Sequence, residues 1–164
     1  MGRGYTEYAF PDSGSDNVFS LYSAFLNYRL DDNLLLPVRQ ADCWCYTCQQ
    51  ITIAEQIESI DEMQAELRTL LDPNEEEKLM IAFIVTPIEQ RIAELHTRIQ
   101  WRQRRTAPAK CLHCGQAEIE LLPCKDEFPH PVTGERVRVV SRGWAEAGPW
   151  EAEFSPDGVR LGTG

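Results

Sequence analysis

Cys43-Trp-Cys45-Tyr-Thr-Cys48 and Cys111-Leu-His-Cys114-Gly115 are the two stretches on which the reading of this chain turns. Each contains a C-x-x-C pair, a spacing that turns two thiolates toward one metal ion. One pair leaves a tetrahedral zinc shell half filled; two pairs together complete it. Gly115 follows the second pair directly, which suits the tight backbone turn that aims amide groups at sulfur. Cys45, Cys48, Cys111 and Cys114 are therefore the candidate ligands of one structural zinc ion. Cys43 offers an alternative thiol to Cys45, but the C-x-x-C spacing favours Cys45. His113 sits between two ligands and is poorly placed to compete.

The paired knuckles resemble those of zinc ribbons, small β-modules clamped by two such turns. The resemblance covers the knuckles and their immediate flanks. It implies a metal-stapled β-core and names no substrate. The four-thiolate set implies a structural ion, because it leaves no position for a catalytic water.

Residues 49–110 separate the two knuckles, a far longer connection than a plain ribbon loop. The spacing of apolar residues predicts helix through most of this insert. Ile53, Ile57, Ile60, Met63, Leu67 and Leu70 recur at three- and four-residue steps. Asp72-Pro-Asn-Glu75 gives a cap residue, a Pro for the first turn and an acid three residues on. Thr86-Pro-Ile-Glu89 repeats the signal, and Ile88, Ile92, Leu95 and Ile99 continue the seam. Residues 73–105 form either two helices or one helix kinked at Pro87. The expected result is an antiparallel helical hairpin inserted between the knuckles, with the metal clamping its base.

Before the first knuckle, Phe19, Tyr22, Leu26 and Leu30 carry a helical spacing, so a helix is expected from about Ser15 or Asp16 to the Asp31-Asp-Asn stop. Residues 1–12 allow a short strand, and Leu34–Val38 reads as an edge strand because of Pro37. After the second knuckle, Ala117–Leu122, Glu135–Ser141 and Trp150–Phe154 read as strands. The turn sequence Ser155-Pro-Asp-Gly158 closes a final hairpin with Val159–Leu161. The fold class is thus α+β: one zinc-stapled domain over 1–164, with an N-terminal helix, the 49–110 insertion and a C-terminal β-meander.

At 164 residues with 43% hydrophobic content, the chain can bury a core of its own. The longest apolar run, Leu79–Val85, is far shorter than the roughly 20 residues of a membrane span. No signal-peptide pattern opens the sequence, so a cytoplasmic location is expected. In that reducing setting six cysteines serve metal binding and free thiols rather than disulfides.

The formal net charge is −10. Such a balance opposes phosphate binding and favours a basic partner surface. The charges are also segregated. From Glu55 to Glu77 there are nine acids and only Arg68 as a base; from Arg98 to Lys110 there are five bases and no acid. Ordinary helix-end electrostatics explain much of this. The functional alternative is that Asp72, Glu75, Glu76 and Glu77 form a projecting acidic probe. A coiled coil with an acidic tip and a zinc finger at its base is similar to the DksA-like factors that enter the secondary channel of RNA polymerase. In that family the hairpin precedes the finger, so no residue roles carry over.

Phosphate-cradling Gly-rich loops, H-E-x-x-H and G-x-S-x-G are absent from the sequence. Cys124 is a nucleophile only if His130 or His96 serves as its base, and no acid or oxyanion donor is arranged around it. A buried, inert thiol is the expected state of Cys124. The sequence therefore points to a non-enzymatic binding protein of the immunity or antitoxin type, with a protein partner. A zinc-ribbon transcription or nucleic-acid adaptor is the alternative, through Arg98, Arg102, Arg104, Arg105 and Lys110. A hydrolase or redox enzyme built on Cys124 comes third.

Overall fold

Alternating β-branched and aromatic residues make strands of most of the chain up to Glu55, and this shapes the molecule. The computed structural model describes residues 2–14, 18–146 and 150–162. Strands β1 (Gly2–Ala9), β2 (Val18–Tyr22), β3 (Phe25–Asp31), β4 (Leu34–Pro37), β5 (Gln40–Cys45) and β6 (Gln50–Glu55) come first. Helices α1 (Ile60–Leu71), α2 (Glu75–Ile81) and α3 (Ile88–Arg104) follow. Strands β7 (Ile119–Leu121), β8 (Glu127–Pro129), β9 (Arg136–Glu146) and β10 (Glu151–Phe154) complete the chain. The class is mixed α and β, with more strand than the sequence led us to expect.

The expected N-terminal helix is absent from the described residues: 18–31 form two strands. Leu26 and Tyr28 decide the matter, since both are almost fully buried. In a helix, residues two apart point to nearly opposite sides; in a strand they share a face. The apolar spacing from Phe19 to Leu30 satisfies both patterns, and burial selects the strand. The proposed starts at Ser15 and Asp16 lie outside the described residues.

Among the described residues three sheets result, ordered β2-β1-β9-β8, β10-β3-β4 and β6-β5-β7. The C-terminal strands do not form a meander of their own. Strands β8 and β9 extend the sheet of β1, whereas β10 crosses to pair in parallel with β3. Strand β9 covers an open edge of β1 and β10 an open edge of β3, edges that a free-standing meander would leave unpaired. The Ser155–Gly158 turn forms as expected: the Ser155 N–H donates to the Val159 carbonyl at 2.7 Å, and Gly158 takes φ +78°.

The insert between the knuckles opens with a strand, not a helix. Residues Ile51 to Glu55 are all buried, on both faces of β6. Helix α1 begins only after Ser59, whose hydroxyl accepts from the Glu62 N–H at 3.1 Å while Glu62 accepts from the Ser59 N–H at 2.7 Å. The same reciprocal cap starts α2 at Asn74 with Glu77, two residues later than the Asp72 start expected from sequence. Residues 73–105 are two helices, with a break at 82–87.

Helices α1 and α3 lie side by side in opposite directions. Arg102 donates to the Glu58 carbonyl at one end, and Arg91 pairs with Glu66 at 2.6 Å further along. Met63, Leu70 and Leu95 form the seam, with Ile60, Leu67, Ile92 and Ile99 at its margins. At the root of the pair, Arg39 of the β4–β5 link bonds Glu58 and Glu66. The principal core joins β3, β4, β6, α3, the second knuckle and β10 through Tyr28, Leu36, Ile53, Trp101, Leu112 and Phe154. The Tyr28 and Trp101 rings stack there at 4.6 Å between centroids.

Candidate metal centre

The first knuckle is the turn of the β5–β6 hairpin, in which Cys45 pairs with Gln50. The second runs back beside β6 through a bridge between Ala54 and Cys111, and β7 then pairs with β5, placing Ile119 opposite Cys45. The three-stranded sheet thus brings the two knuckles face to face although the whole 49–110 insert separates them in sequence.

Both knuckles close in the same way. The Gln49 N–H donates to the Cys45 carbonyl at 2.8 Å, and the Gly115 N–H donates to the Cys111 carbonyl at 2.9 Å. The donor residue has positive φ in each case, +53° at Gln49 and +76° at Gly115. Gly115 adopts this conformation without steric cost. Gln49 does not, and among the described residues it is the only non-glycine there. The left-handed residue stands at the same place in both turns, directly after the second cysteine.

The four sulfurs of Cys45, Cys48, Cys111 and Cys114 all lie within 4.8 Å of one another. Cys45 and Cys114 approach to 3.6 Å, and Cys48 and Cys111 to 3.9 Å. A tetrahedron with metal–sulfur bonds of about 2.3 Å has edges of roughly 3.8 Å, so both pairs match its edges. They are much too far apart for disulfides, whose sulfurs sit at about 2.05 Å, and all six cysteines are free thiols. Four cysteines at this spacing can hold a metal ion.

Without a cation, Cys48 and Cys111 of the cluster resist deprotonation, as does the adjacent Cys43. Burial, then the neighbouring cysteines, push Cys43 up to about 12. Burial pushes Cys111 up to about 11 against the Cys114 and His113 amides. Cys48 is raised as well, by burial and by the surrounding sulfurs. At Cys45 burial acts upward, but the Cys48 amide and the hydrogen bonds of the other three thiols lower it on balance. Cys48 and Cys111 therefore become thiolates more readily when a cation compensates their charge.

Cys43 is fully buried two residues before Cys45 and packs beside the cluster without joining it. His113 is exposed between its neighbours and is likewise no part of the cluster. Cys124 corrects the sequence reading, because it is exposed rather than buried. His130 is engaged within its own turn, where its Nδ1 accepts from the Val132 and Thr133 amides at 3.1 and 3.2 Å, and Trp44 packs against its ring. His96 is exposed on α3, as the spacing predicted.

The charge clusters divide in the structure. Asp72, Glu75 and Glu76 are exposed at the distal end of the helical pair. Glu77 instead turns inward, accepting from the Asn74 N–H and pairing with Arg68 at 3.0 Å. Those contacts, the Asn74 amide first, hold its carboxyl below the usual range. Of the five bases near the metal end, Arg98 and Arg105 are buried. Arg98 bonds the Pro37 carbonyl and Glu94, and Lys110 reaches the Asp157 carbonyl. Much of the expected basic patch is therefore consumed internally.

Two features were missed by the sequence reading. The first is a buried ion pair beside the second knuckle. Arg105 binds both Glu55 oxygens, at 2.6 and 2.8 Å, and each side chain has no exposure. Glu55 also accepts from Tyr28 Oη at 2.6 Å and from the Lys110 N–H at 2.8 Å. A lone acid ending the apolar run Ile51-Thr-Ile-Ala54 was the available signal. The second is that most of the Leu79–Val85 run is exposed.

Compared with protein-family models, curated proteins and solved structures, the chain matches none. Its function is therefore argued from its own residues. No helix among the described residues is long and apolar enough to cross a membrane.

Proposed function

We propose that the four cysteines hold one structural zinc ion, and that the chain is a non-enzymatic binding protein of the immunity or antitoxin type. The zinc closes the β6-β5-β7 sheet as a ribbon. The helical pair inserted between the knuckles then stands on this base as a hairpin with its distal end outward. The observation that carries the reading is the complete four-sulfur shell. Four thiolates in tetrahedral array suit zinc over hard, oxygen-seeking ions and leave no position open for water or substrate. A metal held this way fixes geometry, and what it fixes here is the root of the helices that carry Asp72, Glu75 and Glu76.

The acids at that end, and a net charge of −10, fit a protein partner with a basic surface in the cytoplasm. Inhibitors of basic active-site clefts use this complementarity. A nucleic-acid adaptor finds less support, since Arg98 and Arg105 are committed inside the protein. The test is association with a partner co-purified from the native cell, at low and high salt, for the wild type and an Asp72→Asn/Glu75→Gln/Glu76→Gln variant. Slower association with a shallower salt dependence in the variant supports the reading. Identical rates and slopes refute it.

A further inference from the structure

The same distal end carries an apolar surface that the protein's own fold does not use. In the run Leu79-Met-Ile-Ala-Phe-Ile-Val85, Ile81 and Ile84 turn inward against the seam of α1 and α3. The other large residues turn outward: Leu79 is 69% exposed, Met80 68%, Phe83 86% and Val85 99%. Leu71, at the end of α1, adds a fifth at 60%. The backbone holds this arrangement. After α2 the chain closes in a tight turn, with the Phe83 N–H donating to the Met80 carbonyl and the Ile84 N–H to the Ile81 carbonyl. Single exposed apolar residues are ordinary. Five large ones at one end of a helical pair mark a contact surface.

Charge selects the occupant. Between Asp72 and Glu89 there are five acids and one base, Lys78. Lys78 is itself paired with Glu75 at 2.6 Å. An anionic lipid surface would be repelled, and so would the same end of a second copy. A protein cleft with an apolar floor and a rim of Lys and Arg satisfies both features. We propose that Leu79, Met80, Phe83 and Val85 are the anchor that enters such a cleft, with Asp72, Glu75 and Glu76 meeting its basic rim. This rests on the reading of the distal end as the recognition surface, and it assigns most of the affinity to the apolar anchor and the encounter rate to the acids.

The experiment places a benzophenone amino acid at position 83 of the full chain in its native cell, with position 140 as the control. Val140 is exposed on β9, in a different part of the fold. The crosslinked peptide is mapped, and its parent protein is purified for kinetics. The proposal expects an adduct from position 83 within an apolar segment flanked by Lys or Arg. It expects Phe83→Ser to weaken binding about tenfold or more through faster dissociation, with the melting temperature unchanged. Glu75→Gln/Glu76→Gln should slow association instead. Adducts only to lipid or to another copy of this chain, or none at position 83, overturn the proposal. If Phe83→Ser binds like wild type while the Gln variant associates slowly, the anchor falls and the charge reading stands. If neither variant changes binding, both fall.

Discussion

Replacing Arg105 by Ala would leave the Glu55 carboxylate buried without its cation. Arg105 gives Glu55 two bonds, and it also donates to the Ala107 carbonyl at 3.1 Å and the Pro108 carbonyl at 2.9 Å. Breaking a buried pair by removing one partner costs about 3–5 kcal/mol. Two effects adjust this figure. Glu55 keeps Tyr28 Oη and the Lys110 N–H as donors, which argues for the lower end. The two loop carbonyls lose their donor, which adds about 1 kcal/mol. A net loss of about 4 kcal/mol follows, or roughly 8–16 °C in melting temperature for a domain of this size.

The assay is thermal unfolding followed by circular dichroism at saturating metal, so that metal loss does not blur the transition. Arg104→Ala is the control: Arg104 is adjacent and exposed, and its removal should stay within about 0.5 kcal/mol. A Glu55→Gln/Arg105→Met variant should recover roughly half of the loss, because no unpaired charge remains and Gln still accepts from Tyr28. A loss below about 1 kcal/mol for Arg105→Ala, or a double variant less stable than the single, would refute the reasoning.

Gly158 lies against the same pair, at φ +78° with a built Cβ only 2.6 Å from Glu55 Oε1. Gly158→Ala should therefore destabilise more than Gly134→Ala, which has a similar φ of +70° and open space around it; denaturant midpoints compare the two. Ser59→Ala removes the cap of α1 and should cost about 1 kcal/mol in the same assay. Zinc affinity should rise from about pH 6 to pH 8, because the raised thiols of Cys111 and Cys48 are protonated in the metal-free site and must lose protons to bind. Calorimetry in buffers of different ionisation enthalpy would read this proton release. Under native conditions alkylation should label Cys124 first and leave the metal content intact, since Cys124 is exposed and outside the cluster; mass spectrometry after iodoacetamide checks it.

The knuckles were legible because metal ligation fixes both residue type and spacing, so Cys45 and Cys48 could be paired with Cys111 and Cys114 across the long insert. Gln49 was not, since nothing in its identity announces positive φ; only the likeness of the two turns does. Around Leu26 and Tyr28 the sequence is ambiguous, because aromatic and aliphatic residues dense enough to fill one helical face also fill alternate strand positions. The choice is made by pairing with the neighbouring β4 and with β10 from the far end of the chain. The Ile53 stripe failed for a related reason. Ile53 and Ile57 belong to the principal core and Ile60 to the helical seam, so one periodic run serves two elements. Capping was legible in kind and shifted in register, because Asp72 and Asn74 are both good caps, each with a Glu three residues on, and the reciprocal cap forms at Asn74 with Glu77. Glu55 was counted only as one of the segregated acids, and its partner lies 50 residues away.

Zinc-edge X-ray absorption on the purified protein, with metal stoichiometry from the same sample, tests the central claim most directly. The account predicts one zinc per chain and a shell of four sulfurs at about 2.3 Å, lost together when Cys111 is replaced by Ser. A metal-free protein that melts cooperatively at the same temperature, or a shell containing nitrogen or oxygen, would contradict it.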